Sequence, residues 1–174
     1  MAAKKKKPAP PQAAGQPEAA PAKAGRPYLG AADVAIGPKP GTIRFQDYLR
    51  FLFQMKSLGV YANRPARGSN QPSVHRTGRA ADIGGGPNQI KACLQFLDQH
   101  CRPALQEIHD YLNLYQPGKH GAGWRCDRDA WRSYDKPTLG PGGQWIHYEL
   151  EPDYANNPQL VDALFQRIFA DVNY

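Results

Sequence analysis

Two short segments of this 174-residue chain bring together residue types that can do chemistry. The first is Ser73-Val-His75-Arg-Thr-Gly78-Arg-Ala80-Ala-Asp82, and the second is Gln144-Trp145-Ile-His147-Tyr-Glu149. His75 leads into a turn that contains Gly78, Asp82 lies on the short strand after it, and His147 sits on a separate strand. Two imidazoles and one carboxylate form a nitrogen and oxygen ligand set suited to Zn²⁺, with a fourth position left for water. A metal held in this way polarises a carbonyl and lowers the pKa of its water from about 15.7 to about 7. Gly78 lets the chain turn tightly, and Ala80 and Ala81 are small enough for neighbouring backbone to come close. With only three evident protein ligands, the set describes a catalytic type of site and not a zinc finger.

These residues need elements to position them. Phe45, Tyr48, Leu49 and Leu52 recur at helical spacing, which predicts a helix over about residues 43–58 with Gly59 as its stop. Short strands are expected at 60–63 and 79–83, the second ended by Gly84, Gly85 and Gly86. A helix over about 88–100 would carry Ile90, Cys93, Leu94, Leu97 and Cys101 on one stripe, and Pro103 is expected to open another with Leu105, Ile108 and Leu112. Residues 116–143 read as a long loop rich in glycine, tryptophan and charge, and residues 144–151 alternate as a strand. Asn157-Pro158 supplies an N-cap and a first-turn proline for a C-terminal helix with Leu160, Leu164 and Ile168 on one face. This mixture predicts a small α+β domain.

The net charge of +7 suggests a polyanion as partner until the charge is located. Residues 1–27 hold six basic residues against Glu18, whereas the other 147 residues hold sixteen basic and fourteen acidic ones. The tail has no large apolar residue between Met1 and Tyr28, so it cannot offset its ordering entropy and is expected to be disordered on its own. Residues 28–42, with Gly37, Pro38, Pro40 and Gly41, read as an extended connector, and 43–174 as the folded domain. Nucleic acid is not expected as a partner of that near-neutral domain, while the tail lysines can bind wall polyanions or DNA or serve as a solubilising linker. No apolar run approaches the roughly 18–20 residues a membrane span needs. No apolar stretch follows Lys7, so a signal peptide is not expected. Cys93 and Cys101 lie roughly 12 Å apart along one expected helix, too far for a disulfide. The three cysteines read as buried thiols, with a bond from Cys126 left open.

The segment Ser73-x-His75-x-x-Gly78-x-Ala80-x-Asp82, followed by a distant strand histidine, resembles the D-alanyl-D-alanine metallopeptidases. That family includes vancomycin-resistance dipeptidases and carboxypeptidases and the L-alanoyl-D-glutamate endolysins of bacteriophages, and it shares its fold with the hedgehog signalling domain. All five fixed positions match, and the resemblance covers roughly residues 43–172. It implies a hedgehog/DD-peptidase-like fold, a small antiparallel sheet packed with helices. It also implies a zinc hydrolase that cleaves the stem peptides of peptidoglycan, with His75, Asp82 and His147 as ligands and Ser73 as a neighbour supporting the site. An upstream arginine that contacts the substrate carbonyl or carboxylate is matched best by Arg64 and next by Arg67. With no export signal, the setting implied is a bacteriophage. The protein would be an endolysin held in the host cytoplasm until lysis, or a virion-associated wall hydrolase with residues 1–42 as an anchor on a larger assembly.

One position departs from the family. A Glu or Asp three residues before the last histidine acts as general base there, and this chain has Gln144. A glutamine amide accepts no proton at neutral pH, although it can hold a water by hydrogen bond. Glu149, on the same strand face as His147, is a candidate base, a group that orients His147, or a cross-strand partner. The orienting role is favoured, because metal-bound histidines usually need one. Asp127, Asp129 and Asp135 in the long loop are further candidates. The departure also opens a second reading, a catalytically impaired wall-binding or virion structural module of the same fold. Trp124, Trp131 and Trp145 either line a substrate groove, with Trp145 beside His147, or form the core under the long loop. Arg125, Arg128 and Arg132 read as a solvated loop face, His100 and His109 as structural residues on helices, and His120 as a turn residue.

Overall fold

In the computed structural model the described residues are 25–66, 70–136 and 144–171, so the expectations for the tail before residue 25 and for Arg67 lie outside them. Helix α1 (Pro40–Phe53) opens on a first-turn proline, whose fixed φ suits that position. It ends where Gln54 turns left-handed with φ 51°. The expected continuation to residue 58 does not form. Lys56–Gly59 instead make strand β1, because Lys56 and Ser57 pair with Gly84 and Ile83. The strand expected at 60–63 is irregular chain. Strand β2 (Ala80–Gly84) is followed by α2 (Pro87–Phe96), which runs into a wider π-type turn at Leu97–Cys101.

The largest correction follows Pro103. The expected helix is a single 3₁₀ turn (Arg102–Ala104) and then strand β3 (Leu105–Asp110). Leu105 and Ile108 stand at a helical spacing, but an irregularity between Leu105 and Glu107 lets both face the core of a strand, and pairing on both sides decides for it. The expected long loop contains a hairpin, β4 (Ala122–Arg125) and β5 (Ala130–Ser133). Strand β6 (Trp145–Leu150), α3 (Pro152–Asn156) and α4 (Pro158–Asp171) complete the chain. Asn157 Oδ1 accepts from the N–H of Gln159 at 3.0 Å, the expected cap.

The architecture is α+β, with one six-stranded antiparallel sheet in the order β1-β2-β6-β3-β4-β5. Alternation gives the sheet two unlike faces. Ala81, Ile83, Ile108, Trp124, Ile146 and Tyr148 are buried in one core with Phe45, Leu49, Ile90, Leu94, Leu164 and Phe165 from the helices. The Phe45 ring lies 5.5 Å from Tyr148 and 5.3 Å from Phe165. Each of the isoleucine, leucine and phenylalanine side chains contributes roughly 1.5–3 kcal/mol by leaving water. The interleaved residues Asp82, Glu107, His109, His147 and Glu149 therefore occupy the opposite, polar face. The register sets Asp82 opposite His147, His147 opposite His109, and Glu149 opposite both Ala80 and Glu107.

Residues 25–39 form no regular element but are fastened along the domain. Arg26 pairs with Glu151 at 2.7 Å and donates to the carbonyls of Arg102, Pro103 and Leu105. The buried Arg79 guanidinium donates to Gly30 O, the Ala35 N–H to Arg76 O, and the Lys39 N–H to Gly78 O. A Cβ on Gly78 would stand 2.5 Å from Gly37 O, so this position needs glycine for the close approach as well as for its φ of 70°. Cys93, Cys101 and Cys126 are free and buried. Among the described residues no helix is long and apolar enough to cross a membrane.

Candidate metal centre

His75 is held by a 3₁₀ turn (Val74–Thr77) that is closed at both ends. Ser73 Oγ accepts from the His75 N–H at 3.3 Å, and the left-handed Gly78 returns its N–H to His75 O at 3.1 Å. Asp82 and His147 are delivered by β2 and β6, whose apolar neighbours Ile83 and Ile146 lock the register from the core side. Asp82 thus places one oxygen on each imidazole. His147 Nδ1 is 2.8 Å from Oδ1, and His75 Nε2 is 3.3 Å from Oδ2. The two rings stand 5.0 Å apart at 65°.

His75, Asp82 and His147 each offer one ligand atom, and these atoms lie within 4.8 Å of one another. Both imidazoles are buried, with 7% and 6% exposed, while the Asp82 side chain keeps 20% of its surface open to solvent. Two neutral imidazoles and a carboxylate are a donor set that fits a divalent ion of borderline softness, so the residues present could hold a metal ion.

The electrostatics follow from this packing. Burial alone would raise the Asp82 carboxyl, yet the hydrogen bonds to His147 and His75 outweigh it and hold the group well below the usual carboxylate range. Burial alone would lower His147, but its contacts with Asp82 and then Glu149 push it up to about 10. A metal ion entering the site therefore has to displace a proton from that ring.

Glu149 stands behind His147, with Oε1 3.5 Å from Nε2. It is 1% exposed and faces the nitrogen that Asp82 does not, which is the place of an orienting partner. Beside it lies a second histidine–carboxylate pair. His109 Nε2 is 3.1 Å from Glu107 Oε2, His109 Nδ1 contacts the Tyr134 hydroxyl, and the His109 ring is 5.2 Å from that of His147. His109 is thus a strand residue on the polar face, which corrects its expected place on a helix. Burial, then repulsion from Glu107, raises Glu149, whereas attraction to His109 overcomes burial and brings Glu107 down to about 2.

Sequence reasoning missed Glu107, His109 and Tyr28. The polar alternation of Glu107 and His109 about Ile108 is a strand signal, but the helical spacing of Leu105, Ile108 and Leu112 hid it. Tyr28 meets Glu149 across 121 residues, and nothing local announces that contact.

The other expected residues are placed as follows. Gln144 is exposed at the head of β6, and its carbonyl accepts from the Gly85 N–H at 3.1 Å. Arg64 lies beside the motif through the Ser73 N–H to Arg64 O bond, with an exposed guanidinium that donates to Pro65 O. Trp145 is half-buried, its ring 4.7 Å from Tyr111. Trp124 belongs to the core, and Trp131 donates to Asp98 and packs on Tyr115. Asp127 is paired with Arg125, and Asp129 accepts from Arg102 and Trp124. Comparison of the chain with protein-family models, with curated proteins and with solved structures found no match in any of the three.

Proposed function

We propose that the chain is a zinc-dependent peptidase acting on peptidoglycan stem peptides, of the D-alanyl-D-alanine metallopeptidase kind and hedgehog/DD-peptidase-like in fold. The observation that carries this reading is the convergence of His75, Asp82 and His147, drawn from a spaced motif and a distant strand, onto one point. Zn²⁺ in such a site supplies Lewis-acid polarisation of a carbonyl and a water acidic enough to ionise near neutral pH. His75 Nε2, His147 Nδ1 and the Asp82 carboxylate are the atoms available to hold it. Ser73 fixes the turn under His75, and Glu149 fixes the imidazole of His147 from behind. Gln144 can orient a water through its amide but takes no proton. Arg64 is the candidate for the substrate carbonyl or carboxylate, and Trp145 is a separate candidate for contact with the substrate. The setting that fits is a bacteriophage endolysin or virion-associated wall hydrolase, with residues 1–42 as the link to a larger assembly.

Gln144 favours a second reading, in which the same fold is a catalytically impaired wall-binding or virion structural module. One experiment separates the two. Zinc content of the purified protein is measured together with release of new amino groups from peptidoglycan, with and without chelator. About one zinc per chain and chelator-sensitive release support the peptidase. Zinc without release supports the impaired module. A protein that takes up no zinc when it is supplied overturns both.

A further inference from the structure

We infer that Tyr28, carried by the N-terminal segment, is a positioning residue of the metal centre, acting on His147 through Glu149. The inference rests on the zinc reading given above. The Tyr28 hydroxyl lies 3.0 Å from Glu107 Oε2 and 3.1 Å from Glu149 Oε1. It therefore bridges the two histidine–carboxylate pairs, His109 with Glu107 and His147 with Glu149, into one network. Glu149 has few other restraints, since its Oε2 is buried with no hydrogen-bond partner among the described residues. Without the tyrosine hydroxyl, the carboxyl group behind His147 would keep the long contact to Nε2 and its contact with Glu107.

The placement of Tyr28 is built in. The buried Gln106 side chain clamps the backbone on both sides of it, its Oε1 accepting from the Leu29 N–H at 2.8 Å and its Nε2 donating to Pro27 O at 3.1 Å. The Arg125 guanidinium lies 4.3 Å over the ring, and the Arg26–Glu151 ion pair fastens the chain just before it. With Gln106 and the Arg26–Glu151 pair holding the backbone around it and Arg125 over its ring, the Tyr28 hydroxyl is set between the Glu107 and Glu149 carboxyl groups. By fixing Glu149 it fixes the rotation of His147, so that Nδ1, which donates to Asp82 here, is the nitrogen a metal would meet once that proton leaves.

The test uses the full chain and reads zinc affinity by competition with a chromophoric chelator. Tyr28→Phe keeps the ring and removes the hydroxyl, and it is expected to weaken zinc binding about 10–100-fold. Tyr61→Phe, which removes the hydroxyl that donates to Ala35 O elsewhere on the same segment, is expected to leave affinity within about twofold. In a Glu149→Gln background the Tyr28→Phe effect should largely vanish, because the two act in series. A hydroxyl that only stabilises the fold would lower the melting temperature of the zinc-free protein and leave zinc affinity unchanged, which overturns the inference. Should Tyr28→Phe fail to fold, Gln106→Met, which releases the backbone on both sides of Tyr28, takes its place: weakened zinc binding upholds the inference, and unchanged affinity overturns it. Wild type that binds no zinc overturns the zinc reading itself, whereas wild type that binds zinc as tightly as Tyr28→Phe overturns only the role of Tyr28.

Discussion

His147 and Glu149, two residues apart on one strand, meet through Nε2 and Oε1 at 3.5 Å, while the other ring nitrogen of His147 faces Asp82. The glutamate therefore faces the ring nitrogen on the side away from Asp82. Glu149→Gln is expected to lower zinc affinity about 10–100-fold and to leave turnover at saturating zinc largely intact. Zinc titration paired with steady-state kinetics checks this. Loss of turnover with full zinc occupancy would make Glu149 the base instead.

Gln144 stands at the head of β6, exposed, and its backbone carbonyl accepts from the Gly85 N–H. A carboxylate there would be free to take a proton. Gln144→Glu is expected to raise the rate of peptide hydrolysis, by up to about 10²–10⁴-fold if general base catalysis is what the wild type lacks. Release of amino groups from peptidoglycan by the two proteins, at equal zinc content, is the measurement.

The zinc-free protein should show a pH-dependent stability set by the Asp82–His147 contact. His147 is raised from 6.5 to about 10 on folding, so its contribution is complete below pH 6.5 and is lost as pH climbs through about 10. Asp82 is lowered from 3.8, so the same contact is also lost as pH falls below the ordinary carboxylate range. Melting temperatures of chelator-treated protein should therefore decline between pH 6.5 and 10, and His147→Gln should flatten that decline.

Gly78→Ala tests the motif glycine. The left-handed backbone costs a non-glycine residue roughly 1–2 kcal/mol, and the added Cβ would also meet Gly37 O at 2.5 Å. The expected destabilisation therefore exceeds the conformational cost alone. Gly78→Asn relieves the conformational part but keeps the collision, so it should remain less stable than wild type in denaturant melts.

The α+β class, the C-terminal helix with its Asn157 cap, and strands β2 and β6 were legible because local pattern and tertiary role agree in them. The grouping of His75, Asp82 and His147, which could hold a metal ion, was legible for the same reason, since the spacing from Ser73 to Asp82 encodes a capped turn running into a strand. Strands β1 and β3 were not legible. Lys56–Gly59 continue a helical pattern, and Leu105 and Ile108 keep a helical spacing that a strand accommodates only through an irregularity at Leu105–Glu107, so pairing with distant strands decides their form. That failure removed His109 and Glu107 from view. The backing of the site by Tyr28 was hidden more deeply, because a segment of ordinary linker composition carries its meaning in contacts to Gln106, Glu107 and Glu149.

The pairing of Asp82 with His147 across β2 and β6 has a consequence for how the chain folds. A slip of one residue in β6 would turn His147 toward the helices and set Ile146 or Tyr148 beside Asp82. An ion that needs both ligands binds only the correct alignment and, by mass action, draws the population toward it. Zinc would then serve as a proofreader of strand pairing, and refolding with the ion present should yield fewer misregistered chains than refolding without it.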